Sequence, residues 1–107
     1  MKAYIFFALL FIGCLSTFGV DVASKVTSSQ FQCMKDSHKI NYAIVRAWRS
    51  FGGIDANANE TLKNAKNAGL ETDIYMFPCR GKLPGDQAQE MMDKTDSTLY
   101  DKVWIDV

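Results

Sequence analysis

Apolar, β-rich segments alternate with helix-like ones along this chain, and that alternation restricts the fold more than any other feature. The strand segments are residues 19–23, 42–48, 73–77 and 102–107. Each is β-branched or aromatic and mostly apolar, as strands covered on both faces should be. Between them, Ser28 or Ser29 is the expected N-cap of a helix ending near Ser37, with Phe31 and Met34 on one face. Residues 57–68 keep helical spacing through Ala58, Leu62, Ala65 and Ala68, and Gly69 stands at the stop. Residues 87–94 form the next helix, with Asp86 as the expected cap and Ala88, Met91 and Met92 facing inward. The order β-α-β-α-β-α-β implies an α/β fold with parallel strands and right-handed crossovers.

A doubly wound sheet and a β/α (TIM-like) barrel both satisfy that order. No glycine-rich phosphate loop follows any strand, and Gly52-Gly53 lacks the spacing of either nucleotide motif. The barrel is therefore the expected architecture, represented by its first four strand-helix units. Residues 19–107 are expected to be the N-terminal portion of such a domain, truncated at its fourth strand. Val103-Trp104-Ile105-Asp106-Val107 reads as a buried strand that carries a carboxylate at its C-terminal end.

The N-terminus reads differently. Met1-Lys2 supplies a positive charge, residues 3–12 are apolar, and Gly13-Cys14-Leu15-Ser16-Thr17 offers small residues for cleavage. A secretory signal peptide over residues 1–16 is expected, with cleavage after Ser16 or as late as Gly19. The apolar run is short for a membrane span. Lipid attachment at Cys14 is the rival reading. The expected destination is extracellular, with a lysosome or gut lumen as variants.

Lys and Arg total 12 and Asp and Glu total 12, so the net charge is zero and nothing points to a nucleic-acid partner. His38 is the sole histidine, which excludes a His-rich metal site; it is expected to be a solvated residue after the first helix. Removal of the leader leaves Cys33 and Cys79 as disulfide candidates, paired either with each other or with cysteines of a C-terminal part. Asn59-Glu60-Thr61 is an N-glycosylation sequon. No metal or other cofactor is expected, and a monomer is.

The C-terminal strand ends share one mouth in a barrel. There the strands bring Asp21, then Arg46 and Trp48, then Tyr75 and Phe77, then Asp106. Asp21 lies between two valines and Asp106 between Ile105 and Val107, and a carboxylate in such a setting is costly unless bonded or functional. Two acids rimmed by aromatic rings suit a sugar cleft, because rings stack on pyranose faces and carboxylates bind hydroxyls or move protons. The plainer alternative is that Asp21 caps a turn and Asp106 is solvated.

The segments Gly19-Val20-Asp21-Val22-Ala23-Ser24, Tyr42-Ala43-Ile44-Val45-Arg46-Ala47-Trp48, Tyr75-Met76-Phe77-Pro78-Cys79 and Val103-Trp104-Ile105-Asp106-Val107 together resemble glycoside hydrolase family 25, in particular its secreted invertebrate and amoebal lysozymes. The resemblance implies a modified β/α barrel that cleaves the β-1,4 bond between N-acetylmuramic acid and N-acetylglucosamine in bacterial peptidoglycan, in defence or in digestion. It implies catalytic roles for Asp21 and Asp106 and substrate binding by Arg46, Trp48, Tyr75 and Phe77. The family's Asp-x-Glu begins at Asp106, and its acid/base Glu would come directly after Val107. The 107-residue polypeptide is on that ground expected to be inactive alone. A non-catalytic glycan-binding fragment or decayed paralogue is the alternative, and a small thiol protein using Cys79 is a weaker one. Met76 stands where many bacterial members have His.

Overall fold

A computed structural model describes residues 17–106; the expected leader, with Cys14, and Val107 lie outside the described residues. The elements are β1 (Phe18–Val22), α1 (Ser28–His38), β2 (Ile40–Arg49), β3 (Gly53–Ile54), α2 (Ala58–Asn67), β4 (Glu71–Met76), α3 (Pro84–Lys94), a 3-10 turn (Ser97–Leu99) and β5 (Val103–Ile105). The sheet runs β1-β2-β4-β5, and all of these pairings are parallel. The short β3 folds back antiparallel on the end of β2 through Gly52, whose φ of 88° only glycine adopts cheaply. The sequence pattern gave no sign of this hairpin, since two residues carry no periodicity.

Strands adjacent in sequence are adjacent in space, with β3 off the path, and the strand order never reverses among the described residues. A doubly wound sheet needs such a reversal. The fold is an α/β layer on an open parallel sheet, with β1 and β5 at its edges.

All three helices pack on one face of that sheet. Val45, Ala47, Ile74 and Met76 meet Ala58 and Leu62 of α2 and Met91 of α3. Ala43 meets Phe31 of α1 and Ala65 and Ala68 of α2. Small residues along α2 let it approach closely, and each large side chain buried here stabilises by about 1.5–3 kcal/mol.

The helix ends correct the expected caps. Thr27, not Ser28 or Ser29, begins α1: its hydroxyl accepts from the Gln30 amide at 3.2 Å, and Gln30 Oε1 accepts from the Thr27 amide at 2.9 Å. This reciprocal box satisfies two donors at once, which a lone serine does not. His38 is the last residue of α1 and is exposed. Asn57 and Ala68 flank α2, and Gly69 follows with φ 81°. Leu83, not Asp86, occupies the cap of α3, because Pro84 starts the helix with its φ preset and no N–H to satisfy. Asp86 lies in the first turn, where its charge complements the helix dipole. The last strand also differs from expectation: Val103, Trp104 and Ile105 are all exposed, since among the described residues β5 pairs with β4 alone.

Candidate active site

The sheet face away from the helices carries a cleft of about 320 Å³ lined by β1, β2, β4 and β5. Asp21, Tyr75 and Asp106 all reach it. Asp21 arrives because β1 alternates: Val20 and Val22 pack toward the helices, so the residue between them faces the other way. Tyr75 alternates in the same manner between buried Ile74 and Met76. Asp106 follows β5 directly, and its amide donates to the Met76 carbonyl at 3.0 Å. The three groups thus collect at the C-terminal edge of a parallel sheet, where every strand ends alike.

Burial lifts the Tyr75 phenol above its ordinary titration range. Arg46 opposes that shift, and Asp21, Asp106 and Asp55 add to it. Tyr75 thus brings a phenol hydroxyl into the cleft that Asp21 and Asp106 also line, able to donate a hydrogen bond to a substrate oxygen.

Six lining residues were not singled out as site residues by sequence reasoning: Gly19, Val20, Tyr42, Ile44, Trp104 and Ile105. Gly19 is required by Tyr42, because a β-carbon there would fall inside the tyrosine ring. Trp104 is held by Asp73, whose Oδ2 accepts from the indole Nε1 at 2.9 Å while Oδ1 accepts from the Lys102 amide at 3.0 Å. Alternation could have found Trp104, since it lies two residues from Asp106 on the same strand face.

Arg46 does not line this cleft. Its Nε donates to Asp55 Oδ2 at 2.9 Å and its Nη2 to the Ala23 carbonyl at 2.8 Å, so it ties the chain after β1 to the segment before α2. Asp55 is buried, and its other oxygen accepts from the Asn57 amide at 3.1 Å. Sequence reasoning missed Asp55, which follows the unforeseen β3.

Trp48 is the clearest departure from the expected sugar-binding set. It is fully buried and its indole donates to Gln87 Oε1 at 3.0 Å. The cause is a bulge: Arg46 pairs with Tyr75 and Trp48 with Met76, so Ala47 is an extra residue. Strict alternation would have put Trp48 beside Arg46, but the bulge turns it to the core side. Phe77 is exposed beyond β4 and stays outside the cleft lining.

The remaining candidates also find other settings. Cys33 and Cys79 are free thiols, one exposed on α1 and the other following β4, so of the two pairings open to them the bond with each other is not formed here. The Asn59 amide bridges α2 to the end of α3: Nδ2 donates to the Lys94 carbonyl at 3.2 Å and Oδ1 accepts from the Asp96 amide at 3.0 Å. A glycan on Nδ2 would compete with that bridge. Among the described residues, no three His, Cys, Asp or Glu side chains come close enough to hold a metal ion.

Comparison with known proteins assigns the architecture to a lineage. The family model described as Lysozyme-like protein 1 matches residues 14–107. The chain belongs to the lysozyme-like proteins of glycoside hydrolase family 25. It is 45% identical over 74 residues to Probable GH family 25 lysozyme 5 of Dictyostelium discoideum, covering 68% of this chain and 34% of that protein. It is 42% identical over 108 residues to Probable GH family 25 lysozyme 2 of the same organism, covering 95% of this chain and 49% of the relative. Lysozyme-like protein 5 of Caenorhabditis elegans is 30% identical over 115 residues, covering all of this chain and 53% of the relative. This family-25 chain thus spans about half the length of these relatives or less. No solved structure matches it.

Proposed function

We propose that this family-25 chain supplies the first half of a secreted lysozyme that hydrolyses the β-1,4 bond between N-acetylmuramic acid and N-acetylglucosamine in peptidoglycan. The observation that carries the reading is the meeting of Asp21, Tyr75 and Asp106 in one cleft at the strand C-termini of a family member. The roles follow from chemistry: Asp106 orients the substrate's acetamido group or steadies charge at the anomeric carbon, Asp21 aids positioning and raises the pKa of a neighbouring acid, and Tyr75 donates to a sugar oxygen. The in-order parallel strands, the helices on a single face and the exposed β5 support completion as a β/α barrel, with further strands closing over the cleft. Residues 1–16 would direct secretion, and a defensive or digestive role goes with it.

One observation favours a second reading for the 107-residue chain by itself. Asp21 and Asp106 are both exposed. A glycosidase proton donor needs a sheltered carboxyl. The chain alone is therefore expected to hold glycan without cleaving it.

The test is incubation of the protein with purified sacculi, followed by mass spectrometry of the released fragments. The completed protein should release fragments with reducing-end muramic acid, and Asp106→Asn should remove most of that activity. Release of fragments ending in glucosamine, or of none by the completed protein, would sink the muramidase reading. Turnover by the 107-residue chain alone would sink the second reading.

A further inference from the structure

Between Asp21 on β1 and Asp106 after β5, the same sheet edge carries two loops, one after β2 and one after β4. The loops touch: Lys82 Nζ donates to the Gly52 carbonyl at 2.9 Å, and the Phe77 amide donates to the Trp48 carbonyl at 2.9 Å. Their composition is one-sided in a chain of zero net charge. Residues 46–54 and 74–85 contain Arg46, Arg49, Arg80 and Lys82 and no acidic residue. Arg46 is held by Asp55, but Arg49, Arg80 and Lys82 are exposed and form no ion pair among the described residues. Apolar side chains stand with them in the open: Phe51 is 62% exposed, Phe77 43% and Leu83 70%. The Arg49 guanidinium lies 5.0 Å from the centre of the Phe51 ring, which holds a charge and an apolar face together.

Exposed phenylalanines beside unpaired cations are not explained by the core, the cleft or a helix cap. The sheet face below them is acidic, so the edge joins a negative cleft to a positive, apolar rim. Acidic side chains bound the rim on the α3 side, where Asp86, Glu90 and Asp93 line a groove with Lys82 and Leu83. Two of these are already engaged, Glu90 with Lys94 and Asp93 with Gln89.

We infer that this rim, with Arg49, Arg80 and Lys82 as its charges and Phe51, Phe77 and Leu83 as its apolar contacts, docks the carboxylate-bearing peptide stems of the wall polymer whose sugars enter the cleft. The inference rests on the lysozyme reading for the identity of the polymer. A glycan chain in the cleft brings its branches to the edge at which the strands end. Stem peptides alternate small apolar side chains with carboxylates, matching a surface of phenylalanine and arginine; arginine forks bind carboxylates with two parallel hydrogen bonds.

The experiment is co-sedimentation of the full chain with three preparations of sacculi: intact, with stem carboxylates amidated, and with stems removed by an amidase. Teichoic acid is stripped from all three, and bare glycan oligosaccharides are titrated separately. Binding to intact sacculi should exceed binding to the amidated or stem-free forms by about tenfold, the scale of a few exposed charge pairs acting together. Arg49→Gln/Arg80→Gln/Lys82→Gln should lower binding to intact sacculi to the amidated level and leave oligosaccharide binding unchanged. Arg49→Gln/Arg80→Gln, which keeps the Lys82–Gly52 bond, should move in the same direction and serves as the control if the triple variant unfolds. Equal binding to all three preparations would overturn the inference, as would charge dependence that appears only when teichoic acid is present. Absence of oligosaccharide binding with stem dependence intact would sink the reading that the chain alone holds glycan, while leaving the rim's affinity for carboxylate peptides standing. The lysozyme reading is sunk separately, by the completed protein's failure to release muramic-acid ends.

Discussion

The two faces of the sheet obey different rules. The helix-covered face is closed by Trp48, Leu62, Ile74, Phe31 and Met91, all fully buried. A large polar node there is Gln87, whose amide serves Trp48, the Cys79 amide and the Cys79 and Lys82 carbonyls at 2.8–3.0 Å. The open face holds Asp21, Tyr42, Ile44, Asp73, Tyr75, Trp104 and Asp106, partly or fully solvated. Stability therefore resides on the first face, and the groups able to do chemistry on the second. A sheet that is finished on one side can carry costly polar groups on the other.

Mutations separate the faces most sharply by stability. Leu62→Ala should cost about 2–5 kcal/mol in urea unfolding, as transfer and cavity terms add, whereas Asp21→Asn should change stability by less than about 0.5 kcal/mol. Comparable losses at the two positions would break the division. Gln87→Leu removes the hub while keeping bulk. Four hydrogen bonds, to buried Trp48, half-buried Cys79 and the Lys82 carbonyl, are lost, and a loss of about 2–4 kcal/mol is expected with a marked change in Trp48 fluorescence.

Asp55→Ala tests the seam between the faces. It frees Arg46 and loosens its hold on the Ala23 carbonyl, for an expected loss of about 2 kcal/mol. Double-mutant cycles with Arg46→Gln would show whether the two side chains act as one unit. Strict additivity would mean they do not.

Titration refines the comparison further. The Tyr75 phenol has a folded pKa raised above its unfolded value, chiefly by burial. Its contribution to stability is fully present below the unfolded pKa and disappears as pH rises through the folded one. Ultraviolet titration should show a tyrosine step above the ordinary phenol range, and Tyr75→Phe should remove that step. Removal of Arg46 should delay it further, because the guanidinium opposes the upward shift. The smallest effect is expected at Asp96, an exposed cap whose pKa is lowered by the Thr98 hydroxyl and then the Thr98 amide. Its contribution is present above the unfolded pKa and fades as pH falls through the folded one. Thr98→Val should move the Asp96 titration back toward the ordinary carboxylate range, read by NMR.

Much of this organisation was legible in the residues alone. Alternation placed Asp21 between inward valines and Tyr75 between buried Ile74 and Met76, because a strand's period of two leaves no other choice. Helical spacing in α2 named its buried side, since Ala58, Leu62, Ala65 and Ala68 fall on one stripe. The β-α-β order named parallel strands. These are local properties, carried by each segment's own pattern.

Other features depended on what segments did to one another. The bulge at Ala47, where β2 pairs with β4, moved Trp48 from the cleft side to the core. Arg46 was bound by Asp55 because a two-residue hairpin, too short to leave a pattern, brought that carboxylate within 2.9 Å. Asn59 was drawn into a bridge by the distant end of α3. Gly19 was read as part of a strand, and only the Tyr42 ring lying over it explains why no side chain is allowed. Sequence by itself thus determined the three helices, the four parallel strands, their order and most of the faces set by periodicity, since those follow from backbone geometry within one segment. Only the tertiary structure decided which polar groups stand free for chemistry, because a hydrogen-bond partner many residues away leaves no trace in local spacing.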